Sequence, residues 1–310
     1  VDEIRRIRDN LIDTQLRDQN SFSGFVEKLS ENLGRLQTIL NEPGENNVRG
    51  ALDQFFQSLE DLNNQPDNTG VRITLIERAK SLATLVNVTS KRIEDERVNI
   101  NNEISTAVDR VNSLAHSIGD INLEIQKVRH TGQNPNDLMD ARDGLLEKIA
   151  EKVGGEVDYK ANGQVSLFVG GHALIQDVHI RHLSTDIDAT TGELSIKIDA
   201  GSGKVSIDSV LKGELGGLAQ AKDQVNATLD SLDTFAEEFV DEFNIQHSSG
   251  FDATGVPGLD FFSIAAMATN ASTSMSLDSV LAADSNLIAS AAASVEVQDG
   301  YLGKLALYKV

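Results

Sequence analysis

Acidic side chains recur at short spacing in the segment NPNDLMDARDGLLEKIAEKV, residues 134–153. Asp137, Asp140 and Asp143 are three residues apart, and Arg142 directly precedes the last of them. Clustered carboxylates can bind a divalent metal ion or act as a general acid and base. The same residues also suit the first turns of a helix, because the helix dipole stabilises nearby negative charge by about 0.3–1 kcal/mol.

The start of a structural helix is the simpler interpretation of this cluster. Pro135 suits a helix entrance, and an asparagine or aspartate side chain beside it can cap the first turn. Apolar residues then recur at helical spacing, so we expect the acids on a solvated face. The predicted buried face contains Leu138, Leu145, Leu146 and Ile149.

Two glycine-containing segments resemble ligand-binding loops but depart from the required patterns. DAGSGKVS, residues 199–206, has Ile198 where a phosphate loop needs glycine and Val205 where it needs serine or threonine. DIDATTGEL has Thr191 where a calcium loop needs glycine, and Lys197 where it needs an acid. Both segments are therefore predicted to be hairpin turns.

The histidines and cysteines give no further support for chemistry. Three of the six histidines, His172, His179 and His182, fall in one β-rich segment, and residues three apart on a strand point to opposite faces. We expect them to be surface histidines. The absence of cysteine excludes a thiolate zinc site and a cysteine nucleophile. We predict no catalytic, cofactor-binding or metal-binding residue, no cofactor and no enzymatic activity.

Composition narrows the choice of partners. The 310 residues carry a formal net charge of −21, which repels phosphate backbones, so a nucleic-acid partner is not expected. No apolar run approaches the roughly 18 residues that span a bilayer, so no membrane partner is expected either. The first residues, VDEIRRIRDN, lack a signal-peptide core and suggest a piece of a longer chain.

The apolar period between the four prolines is helical. Pro43, Pro66, Pro135 and Pro257 lie in polar or glycine-bearing segments, where proline stops a helix. One helix is predicted up to residue 40, a second over 51–62, and a third over 71–130, about 90 Å long. Two interleaved sevenfold rows of the third helix form a continuous apolar stripe. The rows are Val86, Ile93, Ile100, Ala107, Leu114, Ile121 and Val128, and Ile104, Val111, Ile118 and Ile125.

Beyond residue 153 the pattern changes to strands and turns. Asn162-Gly163 between alternating runs is a strong hairpin signal, and ATTG marks a second turn. Helical spacing returns from Leu215 to Phe243, and a short strand near STSMSLD and a helix near GYLGKLALYKV follow.

These patterns predict a mainly α protein with a β-rich unit (α+β). We expect an elongated antiparallel bundle of long helices interrupted by a small antiparallel β domain. The predicted divisions are 1–154 for the first part of the helical bundle, 155–210 for the β-rich domain, and 211–310 for the returning part with its strand and short helix.

Five segments occur in the order known from one protein family: IRRIRDNLIDTQLRDQNSFSG (4–24), NDLMDARDGLLEKIAEKV (136–153), VSLFVGG (165–171), LKGELGGLAQAKDQ (211–224) and NIQHSSGFDATGVPGLDFF (244–262). With them the chain resembles the flagellar hook-associated protein 1 family, the hook–filament junction proteins, almost from end to end. The last segment is the most specific. Its matching residues are Asn244, Gln246, His247, Gly250, Asp252, Gly255, Gly258, Phe261 and Phe262.

The resemblance implies a structural subunit of the bacterial flagellum, secreted and extracellular, that forms the junction ring between hook and filament. It implies as partners neighbouring copies in the axial structure, the hook protein, the second junction protein and, for the full-length chain, an export chaperone. It also implies a structural role for the helix at 136–153. Family members carry terminal helices that polymerise. This chain is expected to be a core fragment without them, and therefore monomeric.

Two other readings share some of these features. A coiled-coil signalling stalk would have the same heptads and acidic charge, but its seam would be covered by a second chain. An adhesin-type stalk or a secreted hydrolase would use the β unit as its working part, and a hydrolase would need a convergent set of catalytic residues.

Overall fold

Long helices and small antiparallel sheets make up the computed structural model, which describes residues 10–40, 47–188, 193–266 and 270–292. The helices are α1 (Asn10–Leu40), α2 (Val48–Asn64), α3 (Thr69–His130), α4 (Asn136–Val153), α5 (Gly213–Ser248) and α6 (Ser279–Ala283). The strands are β1 (Glu156–Tyr159), β2 (Val165–Val169), β3 (His172–Gln176), β4 (His179–Ile180), β5 (Leu183–Ile187), β6 (Leu194–Asp199), β7 (Lys204–Ser206), β8 (Phe262–Ser263) and β9 (Ser276–Leu277).

Polar side chains and glycines set the boundaries of the helices. The side chain of Asn47 caps α2 by accepting from the backbone N–H of Gly50 at 2.8 Å. The side chain of Asn68 accepts from Gly70 in the first turn of α3. Helix α3 ends at His130, and Gly132 then adopts a φ of +80°, a conformation that glycine adopts without strain. Pro66 and Pro135 lie between helices as predicted, whereas Pro43 lies outside the described residues.

The apolar stripe of α3 is buried along the helix. The four residues of its second row are fully buried, and so are the first three residues of the other row. From Leu114 onward that other row is half-buried. The predicted stripe is therefore covered within a single chain, and the prediction of a mainly α protein with a β-rich unit is confirmed.

The chain folds into two compact units that draw on distant segments. The first contains the described residues up to Arg35 together with Arg97–Gln224. The second contains the described residues of Leu36–Glu96 and of the segment from Val225 onward. These units cut through α1, α3 and α5, so the division at 154/155 and 210/211, which follows the chain, stays a prediction.

Two antiparallel sheets lie in the first unit, one of order β1-β2-β3-β4 and one of order β5-β6-β7. The Asn162-Gly163 turn joins β1 to β2, and Gly163 has a φ of +86°. Two asparagine side chains of α3 form hydrogen bonds with backbone groups of these sheets. Asn122 bonds the N–H and C=O of Val165 on β2, and Asn112 bonds the same two groups of Leu183 on β5. The backbone of each sheet is thus tied directly to α3.

A phenylalanine cluster forms the core of the second unit. The ring of Phe55 on α2 lies 5.2 Å from that of Phe243 on α5 and 5.7 Å from that of Phe262 on β8, centroid to centroid. Strand β8 pairs with β9, which confirms the short strand expected near STSMSLD. The helix expected near GYLGKLALYKV lies outside the described residues.

Candidate functional site

The acidic cluster of α4 divides into exposed and buried members. Asp137 and Asp140 are exposed, but Arg142 and Asp143 are each only 1% exposed. The Nε and Nη2 atoms of Arg142 both donate to Oδ1 of Asp143 at 3.1 Å. The expectation that the acids lie on a solvated face is therefore wrong for Asp143, since this side of α4 is covered. Pro135 occupies the N-cap position without a side-chain bond, so the expected capping side chain is also wrong.

Arg142 anchors α4 to the β-rich segment. Its Nη1 donates to the carbonyl oxygen of Gly163 at 2.6 Å, and its guanidinium lies 5.5 Å from the centre of the Tyr159 ring. The guanidinium of Arg17 on α1 lies 5.9 Å from the same ring and donates to the hydroxyl of Tyr159 at 3.3 Å. The buried ion pair thus anchors α4 to β1, and Tyr159 of β1 in turn contacts Arg17 of α1, an arrangement suited to fixing elements in place.

The two segments that resemble ligand-binding loops lie between paired antiparallel strands, as predicted for hairpin turns. In the GSGK segment, the backbone N–H of Ala200 donates to Gly203 at 2.8 Å and closes the turn between β6 and β7. Strands β5 and β6 pair on both sides of ATTG up to Ile187 and Leu194. The turn residues 189–192 themselves lie outside the described residues.

Within the described ranges, no group of three or more histidine, aspartate or glutamate side chains is arranged to hold a metal ion. No described helix contains an apolar stretch long enough to cross a bilayer. His179 and His182 are exposed, and His172 is half-buried. The ring of His182 lies 5.0 Å from that of His116 on α3, a pairing that sequence reasoning missed because 116 and 182 are far apart in the chain.

A second residue that the sequence analysis missed is Lys222 on α5. Its ammonium group is buried, donates to the carbonyl oxygen of Leu194 at 2.7 Å and lies 3.7 Å from Oδ1 of Asp208. The lysine stands four residues after Leu218 and three before Val225, so it occupies a position of the buried stripe. A charged residue at a stripe position was a signal that this side chain would be buried and paired.

Asn244 opens the segment 244–262 and fixes the chain that returns after α5. Its Oδ1 accepts from the backbone N–H groups of Phe261 and Phe262 at 2.7 and 2.9 Å, and its Nδ2 donates to the carbonyl oxygen of Phe262 at 2.8 Å. The side chain thereby satisfies three backbone groups at the phenylalanine core.

Both ring nitrogens of His247 also bond backbone groups. Its Nε2 accepts from the backbone N–H of Ala289 at 2.9 Å, so Nδ1 carries the proton and donates to the carbonyl oxygen of Leu259 at 2.5 Å. The ring is fully buried, and burial lowers its pKa from the ordinary value, against smaller raising effects of the Leu259 bond and of Asp260. The imidazole is therefore a neutral structural group.

Asp252 and Gly258 complete this loop. Oδ1 of Asp252 accepts from the N–H of Thr254 at 2.8 Å and from that of Val256 at 3.0 Å. A Cβ at Gly258 would overlap the carbonyl oxygen of His247, so the close packing here requires glycine. The most specific segment of the sequence is therefore a tightly bonded loop, and its polar atoms are bonded to backbone groups.

Comparisons with known proteins agree with this structural role. The model of the family described as "Flagellar hook-associated protein FlgK helical domain" matches residues 33–262. Flagellar hook-associated protein 1 of Salmonella typhimurium is 31% identical over 274 residues, which are 85% of this chain and 49% of that protein. The protein of that name from Bacillus subtilis is 29% identical over 286 residues, covering 84% of this chain and 56% of its own length.

A solved structure gives the same result for the fold. The flagellar hook junction protein FlgK from Burkholderia pseudomallei superposes with a TM-score of 0.71 at 25% identity, over 81% of this chain and 46% of that one. The chain spans about half the length of the relatives that it matches.

Proposed function

Because the chain belongs to the family of flagellar hook-associated protein FlgK, we propose that it is part of a structural subunit that joins the hook of a bacterial flagellum to the filament. The observation that carries the proposal is the match over residues 33–262, which includes the segment where Asn244, His247 and Asp252 bond to the backbone. These side chains serve the fold, and their arrangement supports a mechanical role without catalysis.

The buried stripe of α3 supports such a role physically. Each fully buried isoleucine or valine contributes about 1.5–3 kcal/mol relative to an exposed one, so a stripe of this length resists opening. A junction subunit must keep its own fold while it contacts two different helical assemblies. A helix of 62 residues with its apolar side covered suits this requirement.

An exposed apolar face of α1 supports contact with neighbouring copies. The face spans about 140° of the helix circumference at 3.6 residues per turn, and Gln15, Gln19 and Ser23 are interspersed among its apolar side chains. Exposed apolar side chains grouped on one surface typically mark interaction sites. The opposite side of α1 is buried at Arg17, Ser21 and Gly24. The face consists of Leu11, Ile12, Leu16, Phe22 and Val26.

The partners that follow from this proposal are neighbouring copies, the hook protein, the second junction protein and an export chaperone for the longer chain. The place of action is the extracellular flagellum, reached by secretion. The proposal includes no enzymatic activity, no cofactor and no metal requirement for assembly.

Complementation tests the proposal. A full-length junction protein whose corresponding region is replaced by this chain is expressed in cells that lack the junction protein, and filaments attached to hooks are counted. We expect attached filaments. Hooks without filaments, in cells where the chimera is exported and the parent protein restores attachment, would contradict the proposal.

The face of α1 is tested in the same assay with Phe22→Asp. Phe22 is 62% exposed, so the fold should tolerate the charge while contact with a neighbouring copy should not. Val98→Asp places the same charge at a comparably exposed apolar position of α3, outside this face, and serves as the control. We expect Phe22→Asp to abolish the attachment of filaments to hooks and the control variant to retain it. Equal attachment for both variants would show that this face is not an assembly contact.

A further inference from the structure

Two imidazole rings lie close together on the surface of the first unit. His116 lies on α3, and His182 directly precedes β5. Their ring centroids are 5.0 Å apart, the ring planes are inclined by 43°, and both side chains are exposed. Among the described residues, neither ring makes a hydrogen bond, so their nitrogens are available to a ligand from solvent.

Asn112 holds the two rings in place. It lies one helical turn before His116, and its side chain donates to the carbonyl oxygen of Leu183 and accepts from the N–H of Leu183, both at 2.9 Å. Leu183 follows His182 and is buried. The backbone that carries His182 is thereby fixed against the helix that carries His116. A ligand that binds both rings therefore costs little conformational entropy of the backbone.

The separation of the rings fits a shared metal ion. With metal–nitrogen distances of about 2.0–2.1 Å, two imidazoles on one ion have ring centroids about 5.2 Å apart in tetrahedral geometry and about 4.5 Å apart at a right angle. The observed 5.0 Å lies between these values. Imidazole nitrogen suits zinc, copper and nickel ions, whereas magnesium and calcium prefer oxygen ligands.

We infer that His116 and His182 form a two-histidine site for a transition-metal ion of the zinc, copper and nickel class, with water in the remaining coordination positions. The bound ion links the start of β5 to α3. The ion stabilises the fold because it binds the folded chain, whereas the unfolded chain does not hold the two rings together. The site is independent of the proposed junction role.

Calorimetric titration of the untagged 310-residue chain with Zn²⁺ tests the inference. Excess Mg²⁺ is present throughout to occupy the acidic surface, which would otherwise attract cations unspecifically. We expect one Zn²⁺ per chain. His116→Gln and His182→Gln should each weaken binding by at least about 10-fold, since even the loss of an outer-shell partner has such an effect. His179→Gln removes another exposed histidine of the same segment and should leave binding unchanged.

Thermal unfolding supplies a second measurement. Zn²⁺ should raise the melting temperature of the unsubstituted chain and of His179→Gln, and should leave His116→Gln and His182→Gln unchanged. The two paired histidines are exposed, so without Zn²⁺ all variants should melt alike. Absence of Zn²⁺ binding by the unsubstituted chain would overturn the inference, and so would an affinity of His116→Gln or His182→Gln equal to that of the unsubstituted chain.

Discussion

At the scale of single residues, the charges of Arg142 and Asp143 are almost completely removed from water, so each depends on the other. Desolvation of an ion pair can outweigh its attraction, and such a pair is therefore weak evidence of net stabilisation. Removing one partner is a different case, because the remaining charge stays buried without compensation. The guanidinium of Arg142 also donates to Gly163 and lies beside Tyr159. These contacts keep it from moving into water when Asp143 is removed.

We predict that Asp143→Ala lowers the free energy of unfolding by about 3–5 kcal/mol. Asp140→Ala, an exposed acid on the same helix, should cost at most about 1 kcal/mol through the helix dipole. Urea unfolding followed by circular dichroism measures both changes. A small and equal loss in the two variants would show that Asp143 is solvated.

His247 makes stability depend on pH. Its pKa is lowered in the folded state from the ordinary 6.5, so the unfolded chain takes up the proton first as pH falls. Stability from this residue is present above about pH 6.5 and is lost as the pH falls from there toward the folded-state pKa. We predict that the free energy of unfolding decreases between about pH 7.5 and 5.5, and that His247→Gln flattens the decrease.

Urea unfolding at a series of pH values checks this prediction. The carboxylates whose pKa is lowered by lysine or arginine contacts, Glu31 and Asp186, lose their contributions only at more acidic pH, so they do not interfere. An unchanged slope in His247→Gln would assign the pH dependence to another group.

At the scale of elements, glycines determine how closely α5 can approach α1. A Cβ at Gly217 would overlap the carbonyl oxygen of Phe25 and lie 3.2 Å from the backbone nitrogen of Leu29. Backbone atoms of a packed helix cannot move aside without loss of other contacts. Gly34 on α1 has nothing within 4 Å of such a Cβ.

We predict opposite effects of the same substitution at these two glycines. Gly217→Ala should destabilise the protein by about 1–3 kcal/mol through overpacking. Gly34→Ala should stabilise it by about 0.4–1 kcal/mol, because alanine has less freedom in the unfolded chain. Thermal unfolding compares them, and a gain in stability for both would mean that α1 and α5 are not in backbone contact.

The α3 stripe predicts a strong contrast between buried and exposed positions of one helix. Replacing Ile104 and Ile118 together by Asp buries two charges without partners and should unfold the first unit. Replacing Val98 and Leu123 together by Asp, at positions 53% and 39% exposed, should preserve the fold. Circular dichroism and melting temperature are the measurements. An unchanged melting temperature in the first variant would show that the stripe is not buried.

Local patterns allowed much of the secondary structure to be predicted. Apolar spacing indicated α3 and α5, and the turns Asn162-Gly163 and ATTG indicated hairpins, because these signals depend on neighbouring residues only. The burial of Asp143 and Lys222 was not predicted, since it depends on which helix and strand faces meet. Residue spacing within α5 places Lys222 at a stripe position, but it does not identify the carbonyl and carboxylate groups that the lysine contacts.

At the scale of the whole molecule, the two units combine segments that are far apart in the sequence. A division along the chain, at 154/155 and 210/211, separates the β-rich segment from the helices. In the structure, Asn112 and Asn122 of α3 bond directly to that segment. Such pairings are specified by single polar residues at long sequence separation, which explains why periodicity alone could not predict them.

The central claim is that residues of the same chain cover the apolar stripe of α3, which supports the proposed structural role and argues against one strand of a dimeric stalk. Light scattering coupled to size exclusion, over a wide range of protein concentration, tests this most directly. We predict a monomer of 33.5 kDa at every concentration. A stable dimer that persists on dilution would contradict the account and favour the coiled-coil stalk.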